Sequence, residues 1–157
     1  MKSKIYIETT IISYLASRMN RDLIIAAHQE LTHEWWKNRR NEFDLFISQL
    51  VIQEAECGDK KAAQRRLNIL EEIPLLEMNE NVLVLSHALV KEKVVPEKAV
   101  EDALRIATAT IHGMDFLLTW NCKHIANAEI RYAINTICQE RGYIPPIICT
   151  PEELMGE

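Results

Sequence analysis

Glycine and proline are scarce in this 157-residue chain, with 4 and 5 copies, which argues against a small sandwich built from many tight turns. Neither G-x-G-x-x-G nor G-x-x-x-x-G-K-S/T occurs, so no glycine-rich phosphate cradle is expected. No apolar run approaches the ~20 residues of a membrane span, and the opening MKSKIYIETT has no signal-peptide core. No membrane association and a cytoplasmic location are therefore the expectation. The four cysteines, Cys57, Cys122, Cys138 and Cys149, form no C-x-x-C pair. Zinc is disfavoured, and the thiols read as reduced, small core residues. Basic residues are outnumbered, 18 Lys+Arg against 23 Asp+Glu for a net charge of −5. The molecule as a whole then has no attraction for nucleic acid, and a polyanionic substrate would need cations supplied locally.

What is present is an ordinary globular balance, 48% hydrophobic and 26% charged, which excludes disorder and suits a single domain spanning residues 1–157. Short apolar runs alternate with helical patterns. Ile5–Ile7 reads as a strand, and Thr9 or Thr10 as the cap of a short helix carrying Ile11, Ile12 and Leu15. Residues 21–40 form an amphipathic stretch with Leu23, Ile24, Ala27, Leu31 and Trp35 at helical spacing. A strand over Phe43–Ile47 leads to a helix capped by Ser48 and stopping near Gly58. Further helices are expected over 60–72, from the Asn79 cap to about Glu92, from Pro96 to Gly113 and over 128–141. Extended segments are expected at 73–76, 116–119 and 147–149, and Thr150-Pro151-Glu152-Glu153 reads as a capping box. Such alternation favours a parallel sheet with helices on both faces.

The informative feature is acid where acid is costly. On a helical wheel at about 100° per residue with Ala99 at zero, Asp102 falls at about 300°, inside the apolar arc and between Ala109 and Ile106. Glu101, Arg105, Thr108 and His112 fill what reads as a solvated face at about 180–240°. The helix after Ser48 repeats the pattern, with Glu54 projecting between Leu50 and Val51 while Glu56 lies on the polar side. Glu8 follows the first strand directly, and Asn121 follows the strand at 116–119. In parallel α/β sheets those positions form the ligand crevice. Unpaired, each buried carboxylate costs several kcal/mol. Pairing of each with its own arginine or lysine, a shared carboxyl proton and a common cation all remain open. The apolar arcs offer few basic partners, and a hard cation such as Mg²⁺ or Mn²⁺ accounts for all three acids at once.

These motifs, taken together, resemble a PIN domain of the VapC-type toxin group. Ile5 to Leu15 (IYIETTIISYL) is similar to the family's strand followed by D-T-S/T. Ser48 to Gly58 (SQLVIQEAECG) places Glu54 four residues before a glycine. Glu101 to Ala109 (EDALRIATA) matches D-A-x-x-x-A-x-A with Asp102 as the aspartate, and Thr119-Trp120-Asn121 stands for T-x-D. The chain departs from the pattern in having Glu8 for aspartate and Asn121 for the fourth acid. The resemblance implies a three-layer α/β/α sandwich around a central parallel sheet. It also implies a Mg²⁺- or Mn²⁺-dependent endoribonuclease, the toxin of a toxin–antitoxin pair, with an antitoxin partner and often a homodimer.

In that reading Glu8, Glu54 and Asp102 are the metal ligands, and these three with Asn121 are the catalytic set. Glu54 is the candidate proton acceptor and Asn121 orients a water or the phosphate. Uncompensated acids of this kind predict that Asp102→Asn folds at least as stably as the natural sequence. The competing reading is a PIN-like module that binds RNA or a protein without cleaving. A haloacid-dehalogenase-type phosphohydrolase is disfavoured because D-x-D after the first strand is missing. Trp120 is a candidate for stacking on a base or for plain packing, and of Trp35 and Trp36 at most one can face inward. His124 is a candidate substrate contact. Arg39, Arg40, Lys60, Lys61, Arg65 and Arg66 read as a solvated helix face or as a phosphate track.

Overall fold

The computed structural model describes residues 1–123 and 125–156. Five strands form one sheet: β1 (Ser3–Ile7), β2 (Phe43–Ser48), β3 (Leu75–Leu76), β4 (Phe116–Leu118) and β5 (Ile147–Cys149). Their spatial order is β3-β2-β1-β4-β5 and every neighbouring pair is parallel. β1 is central, with Ile5 opposite both Leu45 and Phe116. Its last three residues, Ile5, Tyr6 and Ile7, are fully buried, as expected of a strand covered on both faces.

Seven α-helices make the connections: α1 (Thr9–Ala16), α2 (Leu23–Asn38), α3 (Gln49–Ala55), α4 (Lys60–Leu70), α5 (Glu80–Lys91), α6 (Val100–Ile111) and α7 (Ala128–Glu140). Helices α2, α3 and α4 pack around α1, whereas α6 and α7 pack against α5. The chain winds outward from β1 through β2 to β3, then crosses back to β4 and β5. Right-handed crossovers therefore put the two helix groups on opposite faces of the sheet, giving the three layers. None of the described helices is long and apolar enough to cross a membrane.

Local signals act as expected at several ends. Asn79 caps α5 by accepting from the Val82 N–H. Gly58 and Gly113, at φ +86° and +68°, adopt the left-handed conformation that follows α3 and α6. Glu153 accepts from the Thr150 N–H, the reciprocal bond of a capping box, over a single 3₁₀ turn at Glu152–Leu154.

Other expectations are corrected. The cap of α1 is Glu8 itself, whose carboxylate accepts from the Thr10 N–H, and not Thr9 or Thr10. Ser48 makes no capping bond; its hydroxyl lies 2.7 Å from the Tyr6 hydroxyl and ties β1 to β2. Pro96 precedes a 3₁₀ turn (Glu97–Ala99), and α6 proper begins at Val100. In α2 the inward stripe carries Gln29, Thr32 and Trp35, while Leu23, Ile24 and Ala27 are exposed. Two of the four cysteines, Cys57 and Cys122, are exposed; Cys138 and Cys149 are core residues.

The polar face expected for α6 is only partly solvated: Glu101 is exposed and His112 half-buried, but Arg105 and Thr108 are buried. Eight of its twelve residues are buried, Arg105 and Thr108 among them, because the helix is packed against α5 and beside β4. Thr108 satisfies its hydroxyl by donating to the Leu104 carbonyl at 2.6 Å.

Candidate active site

The strand order reverses between β1 and β4, and the crevice of a parallel α/β sheet opens at that switch point, beyond the strand C-termini. Glu8 follows β1 there and Thr119 follows β4. The Glu8 N–H donates to the Leu118 carbonyl at 3.1 Å, which prolongs the β1–β4 pairing by one residue and aims the carboxylate across the switch point. Glu8 is only 3% exposed. Its Oε1 accepts from the Thr119 hydroxyl at 2.6 Å and the Thr10 hydroxyl at 2.5 Å. Burial pushes this carboxyl above the usual glutamate range, opposed by the Thr10 and Thr119 hydroxyls and by the nearby Arg105 charge.

Thr119 and Thr10 also organise the segment that follows β4. The Asn121 N–H donates to the Thr119 hydroxyl oxygen at 2.9 Å, and the Trp120 N–H to that of Thr10 at 2.9 Å. Asn121 in turn reaches Asp102, with Nδ2 3.5 Å from Oδ1. From the other helical layer, Thr9 donates to Glu54 Oε1 at 2.6 Å.

Arg105 joins the two halves. Its Nη2 lies 2.5 Å from Glu54 Oε1, and Nη1 pairs with Asp102 Oδ1. The guanidinium is 5% exposed, Asp102 9% and Glu54 34% by side chain. Burial alone would lower the Arg105 pKa; the hydrogen bond and charge of Glu54, with the charges of Glu8 and Asp102, outweigh it and hold the group charged. A fourth acid, exposed Glu101, stands 3.9 Å from Nη2 at the rim. The cleft that opens over these groups holds about 420 Å³ and is lined by Glu54, Lys98, Glu101, Asp102 and Arg105.

The four sequence candidates are thus linked, though not as a bare acidic cluster. Glu8 and Asn121 meet at Thr119, and Glu54 and Asp102 meet at Arg105. Few basic partners were expected for the acids, but three separate ones are not needed, since one arginine serves two of them. It went unnoticed because Arg105 falls at about 240° on the wheel, at the edge of the apolar arc and 60° from Asp102. The signal was its spacing: three residues after a buried acid is where a long cationic side chain reaches that acid. Thr119, Thr10 and Thr9 were likewise missed as donors to the carboxylates, because a lone threonine carries no sequence mark of a partner distant in the chain.

A Mg²⁺ or Mn²⁺ ion prefers several oxygen donors free to converge on it. The chemistry of the donor set is right, but the arrangement with Arg105 in place does not fit. Among the described residues no three His, Cys, Asp or Glu side chains come close enough together to hold a metal ion. The orphaned Nε of Arg105, buried without a hydrogen-bond partner, shows that only the terminal nitrogens of the guanidinium are engaged.

Neighbouring groups are structural. Trp120 is buried, stacked on His28 with ring centroids 4.0 Å apart, and donates from Nε1 to the Thr32 hydroxyl at 2.7 Å. Its indole is occupied by packing and is not offered to a base. Trp35 is fully buried while Trp36 is half-buried under the Arg40 guanidinium. Arg65 donates to the Ala16 carbonyl, and Arg66 to those of Ala55 and Cys57, so both close helix C-termini. Arg39 pairs with Glu42. His124, the candidate substrate contact, lies outside the described residues.

No protein-family model matches the sequence, and no curated protein matches it either. Among solved structures, the chain is similar to one in the crystal structure of VapBC2 from Rickettsia felis bound to a DNA fragment from their promoter. The match has a TM-score of 0.60 and 14% identity, and covers 94% of this chain and 98% of that one. The five-stranded parallel sheet and its helices agree with this likeness. The chain has the PIN-like α/β/α fold that its sequence motifs resemble.

Proposed function

We propose that the chain is an endoribonuclease hydrolysing RNA phosphodiester bonds with Mg²⁺ or Mn²⁺, acting as the toxin of a toxin–antitoxin pair. The observation that carries this reading is the gathering of Glu8, Glu54, Asp102 and Asn121, from four separate chain segments, around the switch point of a PIN-like sheet. Hydrolysis needs a proton acceptor for the attacking water and a group that orients the phosphate. Glu54, the most exposed of the three acids, is the acceptor a water at the cleft mouth reaches first. Asn121 presents its amide beside Asp102, and Lys98 at the rim supplies the local positive charge that a net-acidic protein otherwise lacks.

A divalent ion would supply charge neutralisation of the phosphate, and Arg105 stands between two of the acids that would hold it. A protein antitoxin is the proposed partner, by analogy with the VapBC2 assembly, and a homodimer the proposed state. The test is cleavage of a mixed RNA substrate in Mn²⁺ by the natural chain and by Asp102→Asn. Cleavage by the first, reduced at least about a hundredfold in the second, is expected. RNA left intact by the natural chain refutes the assignment.

One observation favours the second reading, a non-cleaving module that binds RNA or a protein: Arg105 already pairs with both Glu54 and Asp102. In that case RNA is bound without being cut, and Asp102→Asn leaves binding unchanged.

A further inference from the structure

The misfit between the acidic cleft and a metal ion has a definite cause. Glu54 Oε1 is shared by the Thr9 hydroxyl and Arg105 Nη2, and Asp102 Oδ1 by Arg105 Nη1 and the Asn121 amide. One oxygen of each carboxylate is therefore spent on an internal cation and its neighbours, and the guanidinium sits between the two acids. Yet the cleft stays negative overall, with Glu54, Glu101 and Asp102 against Arg105 and Lys98, and among the described residues Glu8, nearest the centre of the sheet, has hydroxyls and a backbone amide as its hydrogen-bond donors.

Arg105 itself is held solely from the front. Its Nε has no partner, and no backbone carbonyl receives its N–H groups among the described residues. Its aliphatic stem rises from α6, and the exposed Glu101 carboxylate stands 3.9 Å from Nη2, one turn earlier on the same helix. The guanidinium thus has an inner pair of acids at hydrogen-bond distance and an outer one at 3.9 Å.

We propose that Arg105 is the resident cation of this cleft, and that a divalent ion binds Glu54 and Asp102 only by displacing its guanidinium toward Glu101. The proposal rests on reading the cleft as an ion site, and it makes Arg105 a positioning residue that sets the ion affinity. With Arg105 seated, the acids are held in register and the site is closed to metal. With Arg105 turned outward, Glu54 Oε1 and Asp102 Oδ1 become available together.

Mn²⁺ binding is measured by calorimetry on the intact chain, at fixed ionic strength and without RNA, for the natural sequence, Arg105→Gln and Arg105→Lys. Arg105→Gln is expected to bind Mn²⁺ at least about tenfold more tightly than the natural chain. The lysine variant separates exchange from a mere change of field. Lysine keeps the charge but cannot bridge two carboxylates as a planar fork does, so it is displaced more easily and Mn²⁺ binds several-fold more tightly than to the natural chain. Equal affinity in the natural chain and Arg105→Lys overturns the proposal, as does an Arg105→Gln variant that is folded by circular dichroism and binds no more tightly. Should Arg105→Gln fail to fold, the lysine comparison decides alone. RNA cleavage is assayed in parallel. A gain in Mn²⁺ affinity with no cleavage by any variant supports the exchange and refutes the nuclease reading, whereas cleavage with unchanged affinities supports the nuclease and overturns the exchange.

Discussion

Replacing Arg105 by methionine tests how much of the stability of the fold depends on one internal cation. Methionine preserves most of the aliphatic stem, so the lost packing is small and the change is chiefly one of charge. Asp102, 9% exposed by side chain, is left as a buried carboxylate without its cation, and stranding one member of a buried pair costs about 3–5 kcal/mol. Glu54 is 34% exposed by side chain, so water screens it and its arm of the bridge adds at most about 1 kcal/mol. Taking the lower part of the first range gives about 4 kcal/mol in all. For a chain of this size that lowers Tm by roughly 8–16 °C.

The assay is thermal unfolding followed by circular dichroism at pH 7.5 in EDTA, comparing the natural chain with Arg105→Met, Asp102→Asn and the double variant. Asp102→Asn keeps the Arg105–Glu54 contact and is expected to lose only about 1–2 kcal/mol. That reverses the expectation from the sequence alone, in which relief of carboxylate repulsion made this variant at least as stable. The double variant is expected to be more stable than additivity allows, since it removes the acid that the single change strands. An Arg105→Met protein melting within about 2 °C of the natural chain would refute the account of Arg105 as the counter-charge.

Three further outcomes are expected. Thr119→Val removes one hydroxyl donor from the buried Glu8 carboxylate and leaves the Asn121 N–H without its acceptor, a loss of about 1–3 kcal/mol in chemical denaturation; an unchanged denaturation midpoint refutes it. Thr32→Val, nearly equal in shape, orphans the buried Trp120 indole N–H and costs about 1–2 kcal/mol, with a change in Trp120 fluorescence as a second readout; no change in either contradicts the packing role. Burial pushes the Cys149 thiol up to about 12 and raises that of Cys138, so iodoacetamide at pH 8 should modify Cys57 and Cys122 in the native protein and all four in denaturant. Because the folded chain keeps the Cys149 proton that the unfolded chain loses near pH 8.5, this thiol's contribution to stability is full below that pH and declines as pH rises toward 12; rapid native labelling of Cys149 would contradict this.

Much of the fold could be read from the chain because the signals are local. A β-branched run too short for a helix marks β1, and Asn79 and Gly58 punctuate helices through bonds and torsions within a few residues. The acids were legible for a related reason: Asp102 breaks an apolar arc whose period is a property of the helix alone. What could not be read depends on contacts between distant segments. Gln29 is buried in α2 because its side chain bonds Ser17, the Arg18 carbonyl and the Asn20 N–H, and Thr32 because it receives Trp120 from 88 residues away. Period alone therefore selected Leu23, Ile24 and Ala27 together with Leu31 and Trp35, and the first three face outward. Arg105 belongs to the same class, since its burial depends on α5 covering α6 and on Glu54 arriving from α3.

The arginines that close the ends of α1 and α3 carry one more consequence. Arg65 and Arg66 are anchored on backbone carbonyls away from the cleft lining and Arg105 is paired with carboxylates, so among the described residues lining the cleft Lys98 is the one cation left to meet a polyphosphate. A nucleic acid entering the cleft would release few condensed counterions. Its affinity would therefore vary only shallowly with ionic strength, and selectivity would have to come from shape at the cleft mouth.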